Sequence, residues 1–169
     1  MRRLVIAVVA FLLAGPALAQ EPTGCDKFKW KLDTERTLLT SADVITVPSG
    51  IGLEGMPPKA LALTLAPFAS AKLPMAPERA PKLASSFAGF VRIETRPAAG
   101  PYLVTLSAEA WVDVVQGGLV VKSSAFSGAQ GCAGMRKSVR FDLTTEPFVV
   151  QLSGAAADSI RMTITPASQ

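Results

Sequence analysis

The sequence predicts an all-β fold, an antiparallel β-sandwich of jelly-roll type, with a short N-terminal helix and a proline-rich crossing segment. Three observations lead there. From Phe87 onward, short apolar/polar alternations recur about every ten residues with turn residues between them. No helix-period segment of comparable strength competes. The six prolines from Pro57 to Pro81 forbid a continuous helix or a central strand in that stretch. A chain of 169 residues suits one domain with a substantial core.

Taken in order, residues 1–19 have the pattern of a secretory signal peptide. Arg2 and Arg3 form a positive start, and Leu4 to Ala14 is an apolar run too short to span a bilayer, which takes about 20 residues. Gly15-Pro16 breaks it, and Ala17-Leu18-Ala19 offers the small residues of a cleavage site. Cleavage after Ala19 leaves residues 20–169 as a single exported domain, periplasmic or secreted, with no membrane span. From Cys25 to Leu32, Lys27, Lys29 and Lys31 alternate with Phe28, Trp30 and Leu32, the period of a strand with one buried face. Asp33 to Leu39 reads as a short helix with Asp33 as N-cap. Lys59 to Leu65 reads as a strand.

Seven strands then follow over Phe87–Thr95, Tyr102–Leu106, Ala110–Val115, Leu119–Ser123, Val139–Leu143, Phe148–Leu152 and Ile160–Ile164. Gln116-Gly117-Gly118 is a hairpin signal, and Gly154 to Asp158 reads as a turn. Only about 65 exported residues precede Ser85, thin for a second core, so the proline-rich stretch is expected to cross the surface of the same domain.

Composition limits the chemistry. The chain has no histidine, which removes Ser-His-Asp and Cys-His nucleophile pairs and His-ligated metals. No cofactor is expected, no metal site, and no catalytic residue is assigned. The formal charge is +4; without Arg2 and Arg3, 15 basic residues face 13 acidic ones, leaving +2. That charge is too dilute for nucleic-acid binding. Cys25 and Cys132 are the only cysteines, and export makes a disulfide between them the expected state.

Phe87 to Pro166 resembles the small jelly-roll sandwich of bacterial pre-peptidase C-terminal domains. The residues that carry this are Gly100-Pro101-Tyr102 with Val104 and Leu106, Trp111 to Val115, Gly117-Gly118, Phe148 to Leu152 and Ile160 to Ile164. Glu146-Pro147-Phe148 stands where that family usually has a second Gly-x-Tyr. The resemblance implies a non-catalytic accessory sandwich of secreted bacterial proteins. The whole chain, opening with Gly24-Cys25-Asp26-Lys27-Phe28-Lys29-Trp30, is also similar to small secreted proteobacterial proteins that sometimes carry a homogentisate dioxygenase name. That activity needs histidine-held iron, and the chain has no histidine.

The candidate binding residues are therefore Lys27, Lys29, Lys31, Trp111, Arg136, Lys137 and Arg140. The three lysines form a row about 7 Å apart if extended. That row suits contact with an envelope protein or an anionic envelope polymer, and suits better an edge strand guarded by lysine. Arg136, Lys137 and Arg140 follow Cys132, and the disulfide would bring them toward that row. Trp111 and Tyr102 offer aromatic faces, though Tyr102 shares its side of the strand with Val104 and Leu106. The alternative function is a histidine-free hydrolase using carboxylates such as Asp113. Its neighbour Glu109 would lie ~13 Å along a strand, too far for the 5–9.5 Å of a glycosidase pair.

Overall fold

In the computed structural model, which describes residues 21–95 and 98–167, two sheets pack face to face as a β-sandwich. The predicted signal peptide lies outside the described residues. Strands are numbered in chain order. The first sheet runs β1 (Ile45–Pro48), β3 (Leu61–Thr64), β12 (Ser159–Pro166), β6 (Gly100–Leu106), β10 (Lys137–Leu143) and β9 (Ser123–Gly128). The second runs β2 (Gly52–Leu53), β5 (Phe87–Ile93), β11 (Phe148–Ala155), β7 (Trp111–Gln116) and β8 (Leu119–Val121), with β4 (Ala66–Pro67) also on β5. Pairing is antiparallel except at two edges, where β1 joins β3 and β2 joins β5 in parallel.

The period-two pattern explains the core. Tyr102 and Val104 face Phe141 and Val139 across the β6–β10 ladder, and with Leu106 and Leu143 they turn inward together. Val112 and Val114 of β7 and Phe148, Val150 and Leu152 of β11 meet them from the other sheet. Tyr102 is buried, and its hydroxyl donates to the Ala98 carbonyl at 2.9 Å, so it is a core residue and no ligand platform. Gly117 and Gly118 both have positive φ, 59° and 77°, the two-residue hairpin geometry expected from the sequence.

Each sheet carries an outer cover. Over the first lies α1 (Asp33–Thr40), where Leu32 and Leu39 pack with Leu103, Ala60, Cys132 and Met135 in a second apolar cluster. The helix starts at Asp33 as anticipated, but Leu32 occupies the cap position and the Asp33 side chain makes no capping bond. Over the second lies the proline-rich stretch. Gln151 on β11 grips it from below: its Oε1 accepts from Met75 N at 3.2 Å and its Nε2 donates to Met75 O at 3.1 Å. From Pro67 onward the stretch does cross the surface, as a strap over a buried polar network; Leu61–Thr64 within it is instead an interior strand, paired with β1 and β12, because the prolines fall outside that ladder.

Three local readings are corrected. Residues 27–32 are not a strand: Cys25–Lys27 forms one turn of 3-10 helix and bends follow. Cys25 is bonded to Cys132, and the Lys29 N–H donates to Ser127 Oγ, so this backbone is spent on a tether and not on a ladder. Phe28, Trp30 and Leu32 still turn inward, against the second cluster. Second, the strand read as Leu119–Ser123 ends at Val121, and Ser123–Gly128, with only its first residue read as strand, forms β9 against β10. Third, β11 extends through Ala155, so the turn read at Gly154–Asp158 is confined to residues 156–158, where the chain crosses from the second sheet to the first.

Candidate functional site

One margin of the sandwich is open. There β8 ends the second sheet at Val121, and a single residue, Lys122, carries the chain to β9 at the margin of the first. Phe126 lies opposite Val139 on β10, so both side chains project to the inner face. Away from the Lys122 corner the two sheets leave a cleft of about 490 Å³. Its floor is Val112, Val139 and Phe141, and its walls include Trp111 and Phe126. Phe126 is 62% exposed.

Charged groups rim this apolar slot. Arg136 Nη2 pairs with Glu21 Oε2 at 2.5 Å and Glu109 Oε2 at 3.0 Å. Lys137 Nζ stands 3.5 Å from Glu109 Oε1 and donates to the Ala110 carbonyl at 3.0 Å. Lys137 is on the same side of β10 as Val139, which puts its ammonium at the cleft mouth, 5.3 Å from the Trp111 ring centre. Arg79, from the strap, lies 5.5 Å from the same ring. Trp111, Arg136 and Lys137 therefore converge. Arg140 does not join them: its neighbours Val139 and Phe141 point into the core, so its side chain faces the outer side of the first sheet.

Beneath Trp111 lies Asp113, 2% exposed and outside the cleft lining. Trp111 Nε1 donates to its Oδ1 at 2.6 Å, and Gln151 Nε2 and Glu78 N donate to its Oδ2 at 3.2 and 3.4 Å. The carboxylate considered for hydrolysis thus fastens the tryptophan and the strap. Glu109, read as its companion, precedes β7 and is spent on Arg136 and Lys137. Replacing Asp113 with alanine strands three donors, and urea unfolding should show a loss of about 2–3 kcal/mol. Amide exchange should rise at Met75 and Glu78, which the network holds.

Around the N-terminal tether is a second depression, about 340 Å³, lined by Lys29, Lys31, Arg36, Asp26, Asp33 and Trp30 among others. Lys27 is neutralised by Asp26 at 2.8 Å; this contact, with a further bond from the Asp26 backbone N–H, holds the Asp26 carboxyl below its ordinary range. Lys29 and Lys31 form no ion pair among the described residues. The Trp30 indole N–H is buried with no protein acceptor. Lys29 belongs to both regions: it lines this depression, and its Nζ lies 5.1 Å from the centre of the Phe126 ring. The lysine row is broken as a row, but its middle member connects the two concavities.

Glu21 titrates abnormally at this margin. The hydrogen bond from Gln130, then the charge of Arg136, hold its carboxyl below the usual range. A depressed carboxyl contributes fully above its ordinary pKa, and the contribution disappears as pH falls through the lowered value. The Glu21 carboxyl should accordingly titrate below exposed glutamates in a carbon-detected NMR series. Glu21→Gln should abolish the accompanying acid shift of the Arg136 side-chain signal.

No set of three or more His, Cys, Asp or Glu side chains among the described residues is arranged to hold a metal ion. Little in the sequence pointed to Phe126, because Ser123 to Gly128 lacks apolar alternation. The chain matches no family model, no curated protein and no solved structure.

Proposed function

We propose that this is an exported, non-catalytic binding protein of the bacterial envelope that holds an anionic partner, a protein or a polymer, along the open margin of the sandwich. The observation that carries the reading is the Lys29–Phe126 contact, which makes the basic depression and the apolar cleft one continuous surface. Lys29, Lys31 and Arg36 supply positive charge at one end, and Trp111 and Phe126 supply apolar area at the other. Such a pairing of aromatic anchors with unspent cations is the chemistry of recognition surfaces. The disulfide supports an oxidising compartment, periplasmic or extracellular. No helix among the described residues is long and apolar enough to cross a membrane. The accessory role agrees with the resemblance to pre-peptidase C-terminal domains.

Retention on immobilised poly-glutamate, compared with neutral dextran, tests the reading. Binding should weaken steeply with salt, and the triple change Lys29→Gln, Lys31→Gln and Arg36→Gln should reduce it by about tenfold or more. Equal retention on dextran, or an unaffected triple variant, would sink it. Mass spectrometry of the exported product addresses location: a chain beginning at Gln20 is expected, and one retaining Met1 counts against export.

A further inference from the structure

We propose that the free edge of β9 takes an acidic, extended peptide segment by strand addition, with alternate apolar side chains of that segment entering the cleft beside Phe126. The inference rests on the reading of an anionic partner and makes it specific: the partner is a protein, and the contact is a β-ladder.

The edges of the two sheets are unequal. β1 has four residues and ends in Pro48, β2 and β4 have two each, and β8 has three. Short strands and prolines are the usual means of keeping an edge from pairing. β9 has six residues, Ser123 to Gly128, with neither proline nor charge, and β10 lies on one side of it; the N-terminal tether covers its far end, where Thr23 bridges Gln130 and Lys29 N–H meets Ser127, and leaves Ser123–Phe126 open. Those four open residues offer about 13 Å of main chain, enough for a short strand.

The face beside that edge is also unfinished. Phe126 and Val139 look into the cleft, and Phe141 floors it. A strand laid against β9 would send every second side chain to the same side as Phe126. Those side chains would fill the slot between the sheets, as an edge-added peptide fills the pockets of its host.

Charge selects the occupant. Lys29 spans the free edge: its N–H meets Ser127 Oγ on the outer face, and its ammonium rests on Phe126 on the inner side. Lys122 at the β8–β9 corner and Lys31 beside the tether are likewise exposed and in no ion pair among the described residues. A second copy of the chain would bring a second Lys29 against the first, and the like charges would repel. A carboxylate on an incoming strand would instead draw Lys29 off the ring, because an exposed cation–π contact is weak. Lys29 thus closes the edge to self-association and opens it to an acidic strand.

The test uses the oxidised protein and three capped peptides with an alternating valine–threonine centre. One is flanked by glutamates, one by lysines, and the third is the glutamate form with alternate amides N-methylated. Fluorescence anisotropy gives affinity, and NMR amide exchange gives the location. The glutamate peptide should bind about tenfold more tightly than either other form and slow exchange along β9. Lys29→Gln should shrink the preference for glutamate over lysine flanks to about twofold. Phe126→Ser should weaken binding about fivefold with unchanged melting, because the ring is already mostly exposed.

Equal binding of the N-methylated peptide would overturn the ladder. So would slowing of β9 exchange with protein concentration in the absence of peptide, which would make the occupant a second copy. Retention on poly-glutamate with no peptide protection of β9 would remove strand addition and leave the anionic partner standing. Loss of both would remove both.

Discussion

Exchange of Cys25 and Cys132 for alanine is expected to lower stability by about 2–5 kcal/mol, the range for a native bridge, with a chain-entropy ceiling near 4.7 for a loop of this order. The bridge closes a sequence separation of 107 residues, so the unfolded chain gains much freedom when it is cut. At roughly 2–4 °C per kcal/mol for a domain of this size, melting should fall by about 10 °C. Calorimetry of the double variant beside the oxidised protein checks this, and a change below 2 °C would contradict it. The effect should be local as well as global. Gly24 N donates to Gln130 O and Gln130 N to Pro22 O, both at 2.8 Å, and these bonds lie beside the bridge. Without it, residues 21–32 lose their anchor, and Lys29 loses its fixed place over Phe126.

Phe141→Ala should be equally severe, about 3–5 kcal/mol, because a large ring leaves a packed interior. Phe141 is 1% exposed, lies opposite Tyr102 on the ladder and forms part of the cleft floor. The vacated space is continuous with the cleft, so water or an apolar solute can enter it, which places the cost toward the lower end of that range. Urea unfolding gives the loss. Phe141→Leu should recover more than half of it while leaving the cleft deeper. Phe126→Ala, one strand away on the same face, should change stability by no more than about 0.5 kcal/mol. The contrast separates the ring that builds the sandwich from the ring that faces outward at its margin.

Where burial alone sets the structure, the sequence was readable. Six of the seven alternating segments from Phe87 to Ile164 coincide with strands to within three residues, since each must turn one side to a common interior; Leu119–Ser123 does not, because the chain leaves the second sheet after Val121 and joins the first at Ser123. The Gly117-Gly118 hairpin was legible because two consecutive positive φ values need that dipeptide. Residues 27–32 misled, because alternation records which side chains are buried and says nothing about where the N–H groups bond. β9 was hidden for the opposite reason: an edge strand beside a cleft has little interior to face. Of the candidate site, Trp111, Arg136 and Lys137 were found as separate residues. Their convergence depends on β7 and β10 lying in opposite sheets, which no local pattern encodes. The two parallel pairings at the edges are invisible for the same reason.

The position of β12 has a consequence for the order of events in folding. The last strand of the chain lies between β3 and β6, in the interior of the first sheet, with Ile160, Met162 and Ile164 buried. Until residues 159–166 are available, β1 and β3 have no link to the remainder of that sheet, and half the core has no floor. The first sheet is therefore complete only once residues 159–166 pair, and the ladders they form reach far back along the chain to β3 and β6. Such long-range closure is slow. Until residues 159–166 pair on both sides, the first sheet therefore remains two separate pieces.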